Sequence, residues 1–430
     1  MPNPTGKNSQ GKKEYPPDDV LEASLRKYVT RGLSQNDKLK RLVDDHHLSI
    51  GLSKLNQLER KFNIPSLRRC APSVDIVRQA VVDEVDKDVA QRNGPAFVTG
   101  KLRLMGIMTP RDTVRKIMHE YYPEGFDVRF PGKVRPKIPR GTLTAIGPYH
   151  EVSADGHEKI AQQALKMGEV GISIYGWKDK WSSAALWVVA VPDCRSAGAI
   201  GHLYLDFIER IGGIPLQITV DKGSETGWQC AIQYALRHAL TFPRREVFAP
   251  DVDEDTYPPF VALKSVHNVA IEGFWHWLRQ GTGLSLKEIL LRGKTEQLFS
   301  PSVGLHKDLF NWIFPPLVQV ALDDFCTAWN HHHIRQQPDK DMPSDHVPID
   351  ALEHPQYLAG LDCRIPIPAE VIGHLREFLT EQVGPREAYL QWVTEEFSQR
   401  AHEVHTSLRM PTITLENAWD IFVKMSDAMS

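Results

Sequence analysis

Three carboxylates lie in three segments of different kinds. Asp155 ends a short strand-like stretch that begins at His150, in which Val152 and Ala154 alternate with polar residues. Asp221 closes the run Leu216–Asp221, where Leu216, Ile218 and Val220 alternate in the same way. Glu272 falls in an apolar helical segment spanning Ser265 to Trp275. A strand Asp, a strand-end Asp and a helix Glu, in that order, meet the needs of a two-metal phosphoryl-transfer site. Hard divalent cations prefer oxygen ligands, and two neighbouring ions hold both the attacking and the leaving oxygen. Taken singly, each residue is ordinary: an Asp at a strand end is often a turn residue, and a Glu on a helix is often solvated. Asp155 gains weight if its strand continues past it, because burying an unpaired charge is costly. Asn268 lies one helical turn before Glu272, where it would share its face and either orient the carboxylate or contact a ligand.

The elements that must position these groups alternate from residue 146 to 280. Three strand candidates come first, around Val152–Ala154, Val170–Tyr175 and Ala185–Val191. A helix over 196–211 follows, with Ile200, Leu203, Tyr204, Phe207, Ile208 and Ile211 at helical spacing and Gly212-Gly213 as its stop. Next come the strand ending at Asp221, a helix over 226–240 and a weaker strand near Phe242–Phe248. An acidic, proline-containing loop (Asp251, Asp253, Glu254, Asp255, Pro258, Pro259) leads into the Glu272 helix. This is a mixed α/β layer fold, and its element order is that of the ribonuclease-H-like fold. Residues 281–430 read as a helical extension, with Leu317, Val318, Val320, Ala321 and Phe325 supplying one core face.

The front of the chain differs in kind. Residues 1–17 are polar and read as a disordered tail. Residues 18–70 form two or three short helices. Ser34 with Asp37 starts one in the manner of a capping box; Leu39, Leu42 and Val43 line one face, and Leu55, Leu58 and Phe62 the next. Lys38, Lys40, Arg41, Lys54, Arg60, Lys61, Arg68 and Arg69 fill the other faces. Residues 71–127 contain a helix carrying Val98, Leu102 and Met105 and stopping at Gly106. A second begins at Thr109-Pro110-Arg111-Asp112, with Thr109 as cap and Pro110 at the first helical position. Val114, Ile117, Met118 and Tyr121 form its buried stripe, leaving Arg111, Arg115 and Lys116 outside. Helix, glycine turn and basic helix is the outline of a helix-turn-helix, and equally that of a plain helical hairpin. Residues 128–145 form a basic, proline-rich linker holding Lys133, Arg135, Lys137 and Arg140, extended because its prolines forbid a helix. It would lie along a phosphate backbone or serve as a solvated connector.

The net charge of −3 conceals an asymmetry. Residues 1–150 carry 27 Lys and Arg against 17 Asp and Glu, while the remainder is acidic. A basic front half points to a polyanionic partner. No apolar run approaches the roughly 20 residues that span a bilayer, and no secretory leader is evident, so the expected location is nuclear or cytoplasmic. The five cysteines (Cys70, Cys194, Cys230, Cys326, Cys363) lack paired spacing and read as free thiols. His331-His332-His333 lacks an acid or Cys to complete a coordination set, and His46-His47 with Cys70 lacks a zinc pattern. The tryptophans at 275, 277, 312 and 329 read as core residues rather than base-stacking platforms. With no Gly-rich phosphate loop and no nucleophile elbow, a small-molecule α/β enzyme is disfavoured, and no small-molecule cofactor is expected.

Five landmarks in order resemble the retroviral-type (DDE) integrase cores carried by transposon-derived proteins. Ala154-Asp155-Gly156-His157-Glu158-Lys159 resembles the first-Asp motif. Ile174 to Asp179, with Ser182 and Leu186-Trp187, resembles the second and third strands. Gly212-Gly213-Ile214-Pro215, Asp221-Lys222-Gly223 and Glu225 resemble the segment around the second Asp. Asn268, Ile271-Glu272-Gly273 and Trp275 resemble the helix bearing the catalytic Glu, and Trp329 to Arg335 is similar to a downstream landmark. Some positions depart: Val269-Ala270 stands where the family has Gln-Arg, Ser183 where it often has Arg, and Thr226 where it has Asn. The triad gaps are 66 and 51 positions, and the 251–259 loop can absorb the surplus in the second.

The resemblance implies a ribonuclease-H-like integrase core with a mixed five-stranded sheet, preceded by the helix-turn-helix-like region and followed by helices. It implies two Mg2+ or Mn2+ ions, with Asp155 bridging both, Asp221 holding one and Glu272 the other. The expected activity is metal-dependent DNA cleavage and strand joining on double-stranded DNA, by a homo-oligomer, and that DNA is the ligand that Asn268 would contact. The thinned polar positions also suit a domesticated descendant that binds DNA as a scaffold without turnover. Both readings expect residues 1–142 to bind duplex DNA with an affinity that falls steeply with salt. A fluorescence-anisotropy titration at two salt concentrations checks this, and unchanged or absent binding would remove DNA from the reading of the front half.

Overall fold

A computed structural model describes residues 14–67, 72–129, 145–157, 171–241, 257–263, 268–337 and 342–430. The chain divides into two compact units, residues 1–86 with 94–130, and residues 87–93 with 131–430.

The first unit is helical among its described residues. Helices Asp18–Thr30, Gln35–His46 and Leu52–Lys61 enclose one apolar cluster around Leu25, Leu42 and Leu55. Helices Val74–Asp86, Pro95–Leu104 and Arg111–Tyr121 enclose another around Val81, Leu102 and Val114. Ser34 caps its helix as expected, accepting from the Asp37 amide at 3.2 Å. Several expectations fail on detail. Lys38 and Arg41 are buried, not solvated. The Lys38 ammonium meets the Glu59 carboxylate at 2.7 Å, and that pairing is what makes the burial tolerable. Val43, Met105 and Tyr121 are exposed: Val43 lies one position beyond the buried Leu42, Met105 follows the end of its helix and Tyr121 is the last residue of its own. Pro110 precedes its helix as the capping residue in extended conformation, so Arg111 is the first helical residue.

The second unit is built on a mixed sheet of five strands: β1 Glu151–His157, β2 Ser173–Asp179, β3 Ala185–Val191, β4 Gln217–Asp221 and β5 Phe260–Leu263. Their order across the sheet is β3-β2-β1-β4-β5. The first three strands are antiparallel, and β4 and β5 run parallel to β1. This is the ribonuclease-H-like strand order that the element order implied. The boundaries correct the sequence reading. β1 runs two residues past Asp155, and β2 is displaced toward Asp179. The fifth strand is Phe260–Leu263, which follows prolines that read as loop. The segment Phe242–Phe248 lies outside the described residues.

Strand alternation gives the sheet two different faces. Val152 and Ala154 of β1, with Ile218 and Val220 of β4, join the apolar cluster formed with helix Ala197–Ile211. Phe207 of that helix stacks on Trp177 of β2, ring centroids 4.7 Å apart, and Trp187 of β3 stacks on Trp177 at 5.3 Å. The intervening residues, Ser153 and Asp155 on β1 and Thr219 and Asp221 on β4, must then face the other way. A one-residue slip of either strand would bury its acid in the hydrocarbon cluster, so the register is strongly specified.

The free edge of β3 is closed by helix Gly304–Asn330. Gln319 accepts from the Ala190 amide at 2.8 Å and donates to the Val188 carbonyl at 3.1 Å. Asn330 does the same for Ala185, at 2.8 and 2.9 Å. Two side-chain amides therefore stand in for a sixth strand and block further pairing at this edge. The buried stripe of this helix passes through Phe314, Val318, Leu322 and Phe325. Val320, expected in the core, is 60% exposed because it lies half a turn from Val318. Among the described residues no helix is long and apolar enough to cross a membrane. Cys194, Cys230, Cys326 and Cys363 are free thiols.

Replacing Asn330 with Leu strands the amide and carbonyl of Ala185. It should lower unfolding stability by about 1–3 kcal/mol, measured by urea denaturation; a loss below about 0.5 kcal/mol would mean that water substitutes for the amide.

Candidate metal centre

The parallel register of β1 and β4 pairs Val152 with Ile218 and Ser153 with Thr219. Continued by two residues, it brings Asp155 level with Asp221. Helix Val269–Leu278 packs against this end of β1 and places Glu272 in its first turn. One ligand oxygen from each of Asp155, Asp221 and Glu272 lies within 4.8 Å of the other two, and all three residues are partly buried.

Two further residues of the same helical segment reach the aspartates. The Trp275 indole nitrogen donates to Asp155 Oδ2 at 2.9 Å. The Asn268 side-chain nitrogen donates to Asp221 Oδ1 at 3.2 Å. Asn268 is the capping residue before the helix rather than a member of it, and it is only 2% exposed. Its side chain is turned inward, toward Asp221. Trp275 is fully buried, and it lies across the sheet because β2 carries Gly176 directly opposite Asp155. A Cβ at position 176 would approach the indole ring to 2.7 Å.

The electrostatics follow from the crowding. Burial pushes the Asp155 carboxyl up to about 7, and the charges of Asp221 and Glu272 push the same way. Hydrogen bonds from Trp275 and from the Gly156 backbone oppose them. Burial also raises the Tyr175 phenol, with Asp155 the next cause. Its hydroxyl donates to Gln229 at 3.1 Å.

The donor set fits a hard divalent cation. All three ligands are carboxylate oxygens, with no Cys or His among them, as Mg2+ or Mn2+ prefers and as structural zinc does not. The Asn268 side-chain oxygen is buried without a hydrogen-bond partner, close to Asp221. An acceptor in that position suits a water held by an ion.

The remaining candidates lie elsewhere. Arg111, Arg115 and Lys116 are exposed on helix Arg111–Tyr121 of the first unit. Lys133, Arg135, Lys137 and Arg140 fall outside the described residues. His331 and His332 each bond a backbone carbonyl of the preceding turn, and His333 pairs with Asp345 at 3.2 Å. Trp329 donates to the Ser183 carbonyl at 2.9 Å, so this helix end anchors the β2–β3 turn. Trp277 is 49% exposed, two positions round the helix from Trp275, and is not a core residue. The polar role of Trp275 was missed in the sequence, where it read as core. Its spacing of three from Glu272 was the available signal, because that spacing places both on one helix face. Gly176 left no such signal.

Residues 252–347 match the integrase core domain family. The matched stretch includes Asn268, Glu272, Trp275 and the run from Trp329 to Arg335, and it begins after Asp155 and Asp221. No curated protein matches the chain. Among solved structures, the Mos1 transposase paired-end complex with left transposon end is similar at 10% identity, over 64% of this chain and 95% of that one, with a TM-score of 0.16. A score that low adds no weight to the strand order. The family match over residues 252–347 agrees with that strand order and with the acidic triad.

An acid raised from 3.8 to about 7 binds a proton more tightly in the folded state than in the unfolded one. The part of the stability that Asp155 contributes without metal should therefore be fully present below about pH 4 and fall as pH rises through 7. Asp155→Asn should flatten part of that fall, as read by urea midpoints in chelator at pH 5 and pH 8. An identical pH slope in the variant would show that Asp155 is not the group responsible.

Proposed function

We propose that this protein is a metal-dependent polynucleotidyl transferase acting on double-stranded DNA, of the integrase and transposase kind. The observation that carries the proposal is the meeting of Asp155, Asp221 and Glu272 within 4.8 Å. Asp155, central in the sheet, would hold both of two Mg2+ or Mn2+ ions, with Asp221 holding one and Glu272 the other. Bound there, the ions would activate a water or a DNA 3′-hydroxyl and stabilise the departing oxygen in an in-line displacement at phosphorus. The chain's own contribution is arrangement. Strand register fixes the two aspartates side by side, and the helix delivers Glu272 from above. Partial burial reduces competition from water, which strengthens every charge interaction at the site.

The basic front half supplies the phosphate contacts in this reading. Arg111, Arg115 and Lys116 would dock against one duplex segment, and Lys133, Arg135, Lys137 and Arg140 would follow the backbone. DNA as substrate implies a nuclear site of action, and strand joining implies a homo-oligomer that holds two DNA ends.

A second reading is favoured by the altered polar positions. Thr226, where the family has Asn, is buried and donates its hydroxyl to the Gly223 carbonyl at 3.0 Å. It closes a turn and offers nothing outward. Ser183 sits in the left-handed region at φ 64° and serves a turn as well. A domesticated protein that binds DNA and keeps the core as a scaffold would tolerate both.

Magnesium-dependent nicking and strand transfer on linear duplex separate the two readings. The transferase reading expects activity in the wild type that falls to background in Asp155→Asn and Glu272→Gln. Equal activity in all three proteins would assign the cleavage to a contaminant and leave the scaffold reading.

A further inference from the structure

The carboxylates of Asp155 and Asp221 each receive a hydrogen bond from the segment that carries Glu272. The donor to Asp155 lies three residues after Glu272, and the donor to Asp221 lies four residues before it. Three and four residues along a helix return to one face, so the helix and the residue that caps it present Asn268, Glu272 and Trp275 to the site together. We propose that Asn268 and Trp275 are positioning residues that fix the rotation of the two aspartates so that their free lone pairs converge with Glu272 on a divalent cation. The proposal rests on the metal-site reading above and adds to it which residues set the ligand geometry.

Three observations carry it. First, an ionised carboxylate only accepts, so the Asn268 amide must turn its nitrogen to Asp221. Its oxygen is then left buried and unpartnered beside the acidic cluster. A buried acceptor without a donor is costly in a folded protein unless a water or ligand completes it. Second, Trp275 is buried and directs its one N–H at the Asp155 carboxylate. Third, the sheet is cleared for that indole. Gly176 is the cross-strand neighbour of Asp155, and any side chain there would collide with the ring. The indole and the glycine together set the orientation of Asp155. Trp275 and Asn268 do not touch substrate in this scheme; they act through the aspartates. Partners of this kind, one shell removed from a metal, typically alter its affinity 10- to 100-fold.

The test is Mn2+ binding to the 430-residue chain, followed by electron paramagnetic resonance of the free ion, with urea midpoints in chelator as the record of folding. Trp275→Phe keeps the aromatic volume and removes the donor, and Asn268→Leu does the same for Asp221. Each variant should bind Mn2+ about 10-fold more weakly than the wild type, with a midpoint near the wild-type value. Asp155→Asn serves as the reference without a site. Wild-type affinity in both variants, with binding lost in Asp155→Asn, would overturn the positioning proposal and leave the metal site intact. No saturable binding by the wild type itself would overturn the metal site and this proposal together. Should Trp275→Phe fail to fold, the Asn268→Leu arm decides: unchanged affinity there overturns the helix-borne bracket.

Discussion

Three carboxylates held within a few ångströms of one another, in partial burial, repel each other, and the structure around them is arranged to bear that repulsion. Two buried N–H donors oppose it, while burial first, and then the charges of Asp221 and Glu272, hold the Asp155 carboxyl raised. An interior cluster of like charge is not stabilising in itself. A fold that places it at the end of a central strand pair, under a helix, and clears a glycine for one of the donors holds it at a cost in local stability.

The two faces of the sheet divide the labour. On one side, aromatic and aliphatic residues of β1, β2, β3 and β4 pack on helix Ala197–Ile211 and supply the cohesion. The other side of β1 and β4 carries Ser153, Thr219 and the acids. Because alternation is strict, the apolar face determines where the acids point. Val152 and Ala154 are therefore as necessary to the site as Asp155, although neither touches it. The edge is managed as carefully: Gln319 and Asn330 satisfy the outward backbone of β3, so the sheet ends there rather than pairing with another chain.

Much of this could be read in the residues. Helix Ala197–Ile211, strand Ala185–Val191 and the strand ending at Asp221 are legible because each is long or strictly periodic, with Gly212 as a clear stop. β1 and β2 were placed with shifted ends, since Gly156, Gly176 and Lys178 are poor strand residues that only pairing retains. Phe260–Leu263 was hidden by its short length and by the prolines before it. In the first unit, Lys38 and Arg41 read as surface because charge normally is. Lys38 goes inside because Glu59, 21 positions later in the chain, is there to meet it.

For the site the boundary is sharper. The amino-acid sequence alone singled out three carboxylates that could share a site, in what order, and on which kinds of element, because periodicity and residue chemistry are local properties. The tertiary structure alone decided that a parallel pairing sets Asp155 beside Asp221, that Trp275 of the helix becomes the neighbour of Asp155, and that Asn268 faces inward. Those are contacts across 47 to 120 positions of chain. They depend on strand register and on the space left by a single glycine, which no local pattern encodes.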